Sequence, residues 1–225
     1  MKLSLLSLML LPLLVFGNIG TISGVKGKSN IHRANKIIKI KNGATIKVRD
    51  SITTAKNSKV QVIMKDKTII TIGANSEYSF DTYTYGNGQK PKVSMELKRG
   101  FFRVITGKIS KIAPKRFHIK TRSATIGIRG THFYGEVKGS EENIGCISGT
   151  IIVDTKIKTY LLNAGHNITL HNGLWSMAIL PKAPKAKRIK GSKKVENRDI
   201  LIHNTGINIK TGSTNIPTPP PAHTP

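Results

Sequence analysis

Apolar residues along this chain fall in short alternating runs. In Lys59–Lys65, KVQVIMK, Val60, Val62 and Met64 take every second position, so an extended backbone puts them on one face. In Thr68–Gly73, TIITIG, Ile70 and Ile72 do the same. Ile38 and Ile40 precede Asn42-Gly43, and Ile46 and Val48 follow it. Asn-Gly between two alternating runs predicts a hairpin, with those isoleucines paired across it. Met64 to Thr68 predicts a second tight turn. Similar runs recur at Lys92–Gly100, Phe101–Gly107, Arg116–Thr121, Thr131–Lys138, Ile147–Thr155, Thr159–Gly165 and Asn167–Gly173. Strands at this spacing, with turn residues between them, predict an all-β fold of many short strands. Periodicity does not separate a sandwich from a short solenoid. No segment sustains helical spacing, and Trp175 to Leu180 is too short for a helix.

Two segments break the pattern at the ends. After Met1 and Lys2 comes an uncharged apolar run, Leu3 to Gly17. Its length suits a signal-peptide core and falls short of the roughly 20 residues of a membrane span. Val15 and Gly17 place cleavage near Gly17–Asn18. The predicted organisation is a signal peptide at 1–17, a β-domain at 20–175 and a flexible basic, Pro-rich tail at 176–225. Export to the periplasm, cell surface or medium follows, with no membrane span after signal removal. The tail carries a basic run, Pro181 to Arg198, and ends in PTPPPAHTP. Neither stretch can bury much apolar surface, so the tail is expected to be disordered. Lys182, Lys185, Lys187, Arg188, Lys190, Lys193 and Lys194 form a candidate anion-binding tail. Within the body, Tyr78 to Pro91 reads as a protruding hairpin whose Tyr78, Phe80, Tyr83 and Tyr85 pack onto the domain.

Composition sharpens this picture. The chain has 225 residues, with 37 Lys+Arg against 11 Asp+Glu, for a formal charge of +26. Such a surface seeks anions, so an envelope protein or an anionic envelope polymer is the expected partner. Charge alone carries no specific nucleic-acid signal. The single cysteine, Cys146, sits in an apolar run and reads as a buried small hydrophobe. The acids show no spacing for a general acid/base pair, and the histidines no metal-ligand spacing. No catalytic residue, metal site or cofactor is expected, and the chain is not expected to be an enzyme.

One block carries more information than the strands around it. Thr121 to Phe133 reads TRSATIGIRGTHF. Gly127 and Gly130 interrupt a strand pattern around Arg129, which predicts a bulge or a close backbone approach. The Arg129 guanidinium would clamp loop carbonyls or a carboxylate, with Asp50 and Asp66 as its expected partners, and the Thr131 hydroxyl would close the bend. The block resembles the T-x-x-A-x-x-G-(I/V)-R-G-T-x-F signature of the FecR-domain family, named for the bacterial iron-dicitrate sensor regulator. Gly43–Thr54, Asn57–Thr68, Ile70–Ser76, Gly149–Val153 and Leu162–Ile168 resemble its other segments in order. Arg122 stands where the family usually has proline. The resemblance covers about Gly20 to Gly173. It implies that Gly127, Arg129, Gly130, Thr131, Phe133, Asp50 and Asp66 are a structural family motif. It also implies a standalone exported domain without the cytoplasmic segment by which the family's regulators hold a sigma factor. A periplasmic part in signal transduction or iron uptake, and a polysaccharide-binding or polysaccharide-active envelope protein, are the alternatives.

Overall fold

A computed structural model describes residues 17–86 and 88–180. The expected signal peptide, apart from Gly17, lies outside the described residues. So does the tail from 181 onward, with all seven of its candidate anion-binding residues.

Among the described residues fifteen strands make up one sheet. They are β1 (Asn18–Lys26), β2 (Ser29–Arg33), β3 (Lys36–Lys39), β4 (Thr45–Lys47), β5 (Ser51–Thr54), β6 (Lys59–Met64), β7 (Ile69–Ile72) and β8 (Glu77–Thr84). After them come β9 (Lys92–Ile105), β10 (Phe117–Lys120), β11 (Ala124–Lys138), β12 (Glu141–Thr155), β13 (Thr159–Asn163), β14 (His166–His171) and β15 (Leu174–Ile179). One helical turn, α1 (Ile109–Ile112), lies between β9 and β10. The fold is all-β, as the alternation predicts. Most pairings are antiparallel; β9 and β10 run parallel.

Three strands are long, and each turns a corner. The first half of β9 pairs with β8 and β10, and its second half with β7 and β11. β12 likewise pairs with β13 through Thr150–Asp154 and with β14 through Glu142–Cys146. Residue parity records each corner. In β9 the buried positions are Val93, Met95 and Leu97, then Phe102 and Val104. In β11 they are Ala124, Ile126 and Ile128, then Thr131, Phe133 and Val137, with Tyr134 also buried but out of phase. In β12 they are Ile144 and Cys146, then Ile151 and Val153. An extra residue at the corner resets which side chains point inward, as in a β-bulge, so apolar groups stay in one core around the bend. The pairing of β11 with β12 shifts register between Arg129 and His132. The bulge expected at the Gly127–Gly130 block is therefore present.

The core joins both arms of the bent strands. Val60, Val62, Met64, Ile70 and Ile72 are buried together, on the faces that alternation assigns them. Tyr78, Phe80, Phe102 and Phe133 stack edge-on or tilted at the centre, with ring centroids 5.4 to 5.8 Å apart. The Tyr78 to Pro91 segment is thus half strand. β8 sends Tyr78, Phe80 and Tyr83 inward, and the turn follows.

The Asn42-Gly43 hairpin does not form. β3 pairs with β2 through a turn at Ala34, and β4 pairs with β1. Gly43 donates its N–H to the Ile22 carbonyl, so the turn passes the chain between two partners. Alternation fixes the inward faces of Ile40 and Ile46 but does not name the strand each lies beside. The turn at Met64–Thr68 does form and joins β6 to β7.

Candidate functional site

Three buried carboxylates organise the described chain. Asp66 sits at the β6–β7 turn, fully buried. The Tyr83 hydroxyl donates to its Oδ1 at 3.1 Å, and the Thr68 hydroxyl to its Oδ2 at 2.8 Å. The backbone N–H groups of Thr68 and Ile109 also donate to it, each at 3.3 Å. In return the Asp66 N–H donates to the Tyr83 oxygen at 2.8 Å. Burial, with the Asp66 charge beside it, raises the Tyr83 phenol far above its ordinary value, so it remains a donor. The carboxylate thereby ties β8 and α1 to the turn without a cation.

Asp50 is held differently. The Arg33 guanidinium donates Nε to Oδ1 at 2.8 Å and Nη2 to Oδ2 at 2.7 Å, in the bidentate geometry of a strong ion pair. The Lys47 N–H donates to Oδ2 at 2.8 Å. Hydrogen bonding to Asp50 raises the Arg33 guanidinium above its ordinary value against the opposing effect of burial.

The third carboxylate escapes sequence reading. Glu142 follows a Gly-Ser-Glu turn, where an acid is expected to face water. It is buried, and accepts from the Thr121 hydroxyl at 2.6 Å. Arg122 Nε lies 3.6 Å from its other oxygen. Arg122 occupies the position where the family pattern has proline, so this departure supplies the counter-charge for Glu142. The signal was parity: Glu142 is in phase with Ile144 and Cys146, and all three point inward.

The Gly127–Phe133 block lies at the β11 corner. The Thr106 N–H donates to the Thr131 carbonyl, the Thr131 N–H donates to the Thr106 hydroxyl at 2.9 Å, and that hydroxyl donates to the Thr131 carbonyl at 3.0 Å. Backbone groups of Thr131 close the bend. Its own hydroxyl is buried without a hydrogen-bond partner among the described residues, which corrects the expected role. Next in chain, the Gly107 N–H donates to the Thr68 hydroxyl that serves Asp66. The corner and Asp66 are therefore neighbours. Phe133 is buried against Phe102. Arg129 is exposed and clamps neither Asp50 nor Asp66, which are filled by Arg33 and by neutral donors. A guanidinium on the outer face of a bulge keeps its water, and both carboxylates are buried with donors of their own.

His132, the variable residue of the block, accepts from Arg103 Nε on β9. Burial, and then the Arg103 charge, lower its imidazole to about 4. The native imidazole is neutral where the unfolded one, near 6.5, takes a proton. The unfolded state therefore binds more protons between those values. Stability from this site is full above about pH 6.5 and is lost as pH falls toward 4, by about 3 kcal/mol. Urea midpoints measured against pH should show that fall, and His132→Gln should flatten it.

Cys146 is buried as expected, and burial raises its thiol to about 11. Glu77, Asp81 and Glu96 gather around Lys98 on β8 and β9, and Lys98 and Arg99 pair with Glu77 at 3.0 and 3.5 Å. Among the described residues no group of three His, Cys, Asp or Glu side chains has the geometry to hold a metal ion.

Compared with protein-family models, residues 50–151 match the family described as FecR protein. Residues 50–151 carry the FecR domain. The matched segment opens on Asp50 and ends within β12. It includes Asp66 and the whole Gly127–Phe133 block, whereas Arg33, the partner of Asp50, precedes it. β1 and β13 also lie outside the match, yet they are hydrogen-bonded to β6 and β12 within it. Among solved structures, a crystal structure of a candidate anti-sigma factor from Parabacteroides distasonis ATCC 8503 is 17% identical, with a TM-score of 0.50. The likeness covers 58% of this chain and 59% of that one, and it concerns the fold. A second crystal structure of the same description is 16% identical over 58% and 59% of the two chains, with a TM-score of 0.49. A comparison with curated proteins finds no match.

Proposed function

We propose that this chain is an exported, non-catalytic FecR-type interaction module of a bacterial envelope. The apolar run after Lys2 supports export, and the buried acids support a structural use of the carboxylates. The observation that carries the interaction reading is β15. Among the described residues it ends the strand order and pairs with β14 on one side alone. Its sequence LWSMAI has no charge, although 21% of the chain is charged. Leu174, Met177 and Ile179 are 75%, 49% and 76% exposed. Natural edge strands are usually blunted by lysine, proline or a cover, so an open apolar edge marks a place where another strand adds.

The test uses the full chain with Met177→Lys and Ile179→Lys, both exposed positions. The original chain should retain a specific envelope protein that the variant loses, with unchanged unfolding midpoints. N-terminal sequencing of the exported form should begin near Asn18. A cytoplasmic protein with its leader intact, or hydrolysis of envelope polysaccharide by the pure chain, would sink the reading.

A second reading makes the chain a component of a signal-transduction system. The FecR domain and its fold likeness to a candidate anti-sigma factor favour it. A partner retained through β15 that is itself a membrane regulator or transporter would decide for it.

A further inference from the structure

Lys26 and Lys59 stand directly opposite each other across the antiparallel β1–β6 pair. Like charges in that position destabilise a sheet. Lys59 is half-buried, and burial first, then the Lys26 charge, lowers its ammonium below the ordinary value. Two touching loops bring more charge to the same corner. The Lys28 N–H donates to the Ser58 hydroxyl at 3.0 Å, and the Ala55 N–H donates to the Lys28 carbonyl at 3.0 Å. Lys28 and Lys56 on those loops are exposed. None of the four lysines has an ion-pair partner among the described residues. From Gly17 to Arg49 the sequence holds no acid at all, and Asp50 is committed to Arg33. Glu77, on β8 opposite Thr53 of β5, is taken by Lys98 and Arg99.

Edge protection explains Lys26, because among the described residues β1 has no second partner at that point. It does not explain why a half-buried lysine, Lys59, stands opposite Lys26 at the start of β6, one residue before the pairing of β6 with β7 begins at Val60. We infer that Lys26, Lys28, Lys56 and Lys59 form a binding surface for a linear phosphate-bearing polyanion. All four are lysines, which meet phosphates as point charges; there is no arginine fork to select a planar carboxylate. An anion laid along the corner relieves the repulsion that the free domain carries. The inference does not depend on export or on β15.

Long-chain inorganic polyphosphate is the probe, titrated into the full chain over a range of salt. Lys26→Gln with Lys59→Gln should weaken binding at least about tenfold at low salt and reduce the salt slope by about one to two. The same variant should unfold at an equal or higher denaturant concentration, because it removes a like-charge pair. Lys28→Gln with Lys56→Gln, on the loops, should weaken binding as well. Lys36→Gln with Lys39→Gln removes equal charge from β3 and should have a much smaller effect. Equal losses from the β3 pair and the corner pair would reduce the effect to net charge and overturn the site. So would unchanged binding. Polyphosphate binding that persists in the corner variants, with loss confined to phosphatidylglycerol vesicles, would replace the polymer with a membrane surface and overturn the assignment.

Discussion

Replacing Asp66 by alanine is expected to cost the domain about 3–5 kcal/mol, a large fraction of the roughly 5–15 kcal/mol that holds a domain of this kind. The reason is the number of groups that depend on one carboxylate. The hydroxyls of Tyr83 and Thr68 and the N–H groups of Thr68 and Ile109 all donate to it, in a place without exposure to water. Each buried donor left without an acceptor costs about 1–3 kcal/mol, less whatever a trapped water recovers. Asp66→Asn should recover little, because its NH2 would point at donors. Tyr83→Phe removes one member of the network and should cost about 1–2 kcal/mol. Asp81→Ala, an exposed acid on β8, should change stability by less than about 0.5 kcal/mol. Urea denaturation of the four variants checks the ranking. A loss at Asp66 no larger than at Asp81 would show that the turn is not a hub.

Different parts of this architecture were legible to different degrees. The inward faces of Val60, Val62, Met64, Ile70 and Ile72 could be read directly, because period-two alternation is a local property of the backbone. The bulge at Gly130 was legible for the same reason: a glycine inside an alternating run marks a change of phase. What alternation does not carry is the identity of the neighbour. Asn42-Gly43 has hairpin chemistry, yet β3 and β4 lie beside β2 and β1. Phe101–Gly107 reads as a strand separate from Lys92–Gly100, but the two are one strand with a corner. The partners of the motif were hidden too. Arg129 looked like the clamp for Asp50 because it sits in the most specific block. The clamp is Arg33, a residue of an unremarkable strand brought there by the pairing of β2 with β5. Glu142 does not stand out in the sequence because hairpin tips are usually wet, although its parity with Ile144 and Cys146 points inward.

The second large effect belongs to the β11–β12 corner, where two glycines of opposite sensitivity face each other. Gly130 and Gly149 both have positive φ, at +61° and +78°. That backbone costs any residue with a Cβ about 1 kcal/mol. A Cβ on Gly130 meets open space, so Gly130→Ala should cost no more than that. A Cβ on Gly149 would stand 2.2 Å from the Gly130 carbonyl oxygen and 3.0 Å from the Thr131 side chain. The first of these is backbone, which cannot turn aside as a flexible side chain would. Gly149→Ala must therefore push β12 away from β11 where the two strands change register. That movement also reaches the Thr131–Thr106 bonds, and through Gly107 the Asp66 network. Gly149→Ala should cost about 3 kcal/mol or more, against about 1 for Gly130→Ala. Chemical denaturation of the two variants side by side is decisive, since both change one glycine to alanine in the same bend. Equal losses would mean that the left-handed backbone alone sets the requirement. A loss about 2 kcal/mol larger at Gly149 would locate it in the close approach of the two strands, which lets a long β-strand turn without opening the core beneath it.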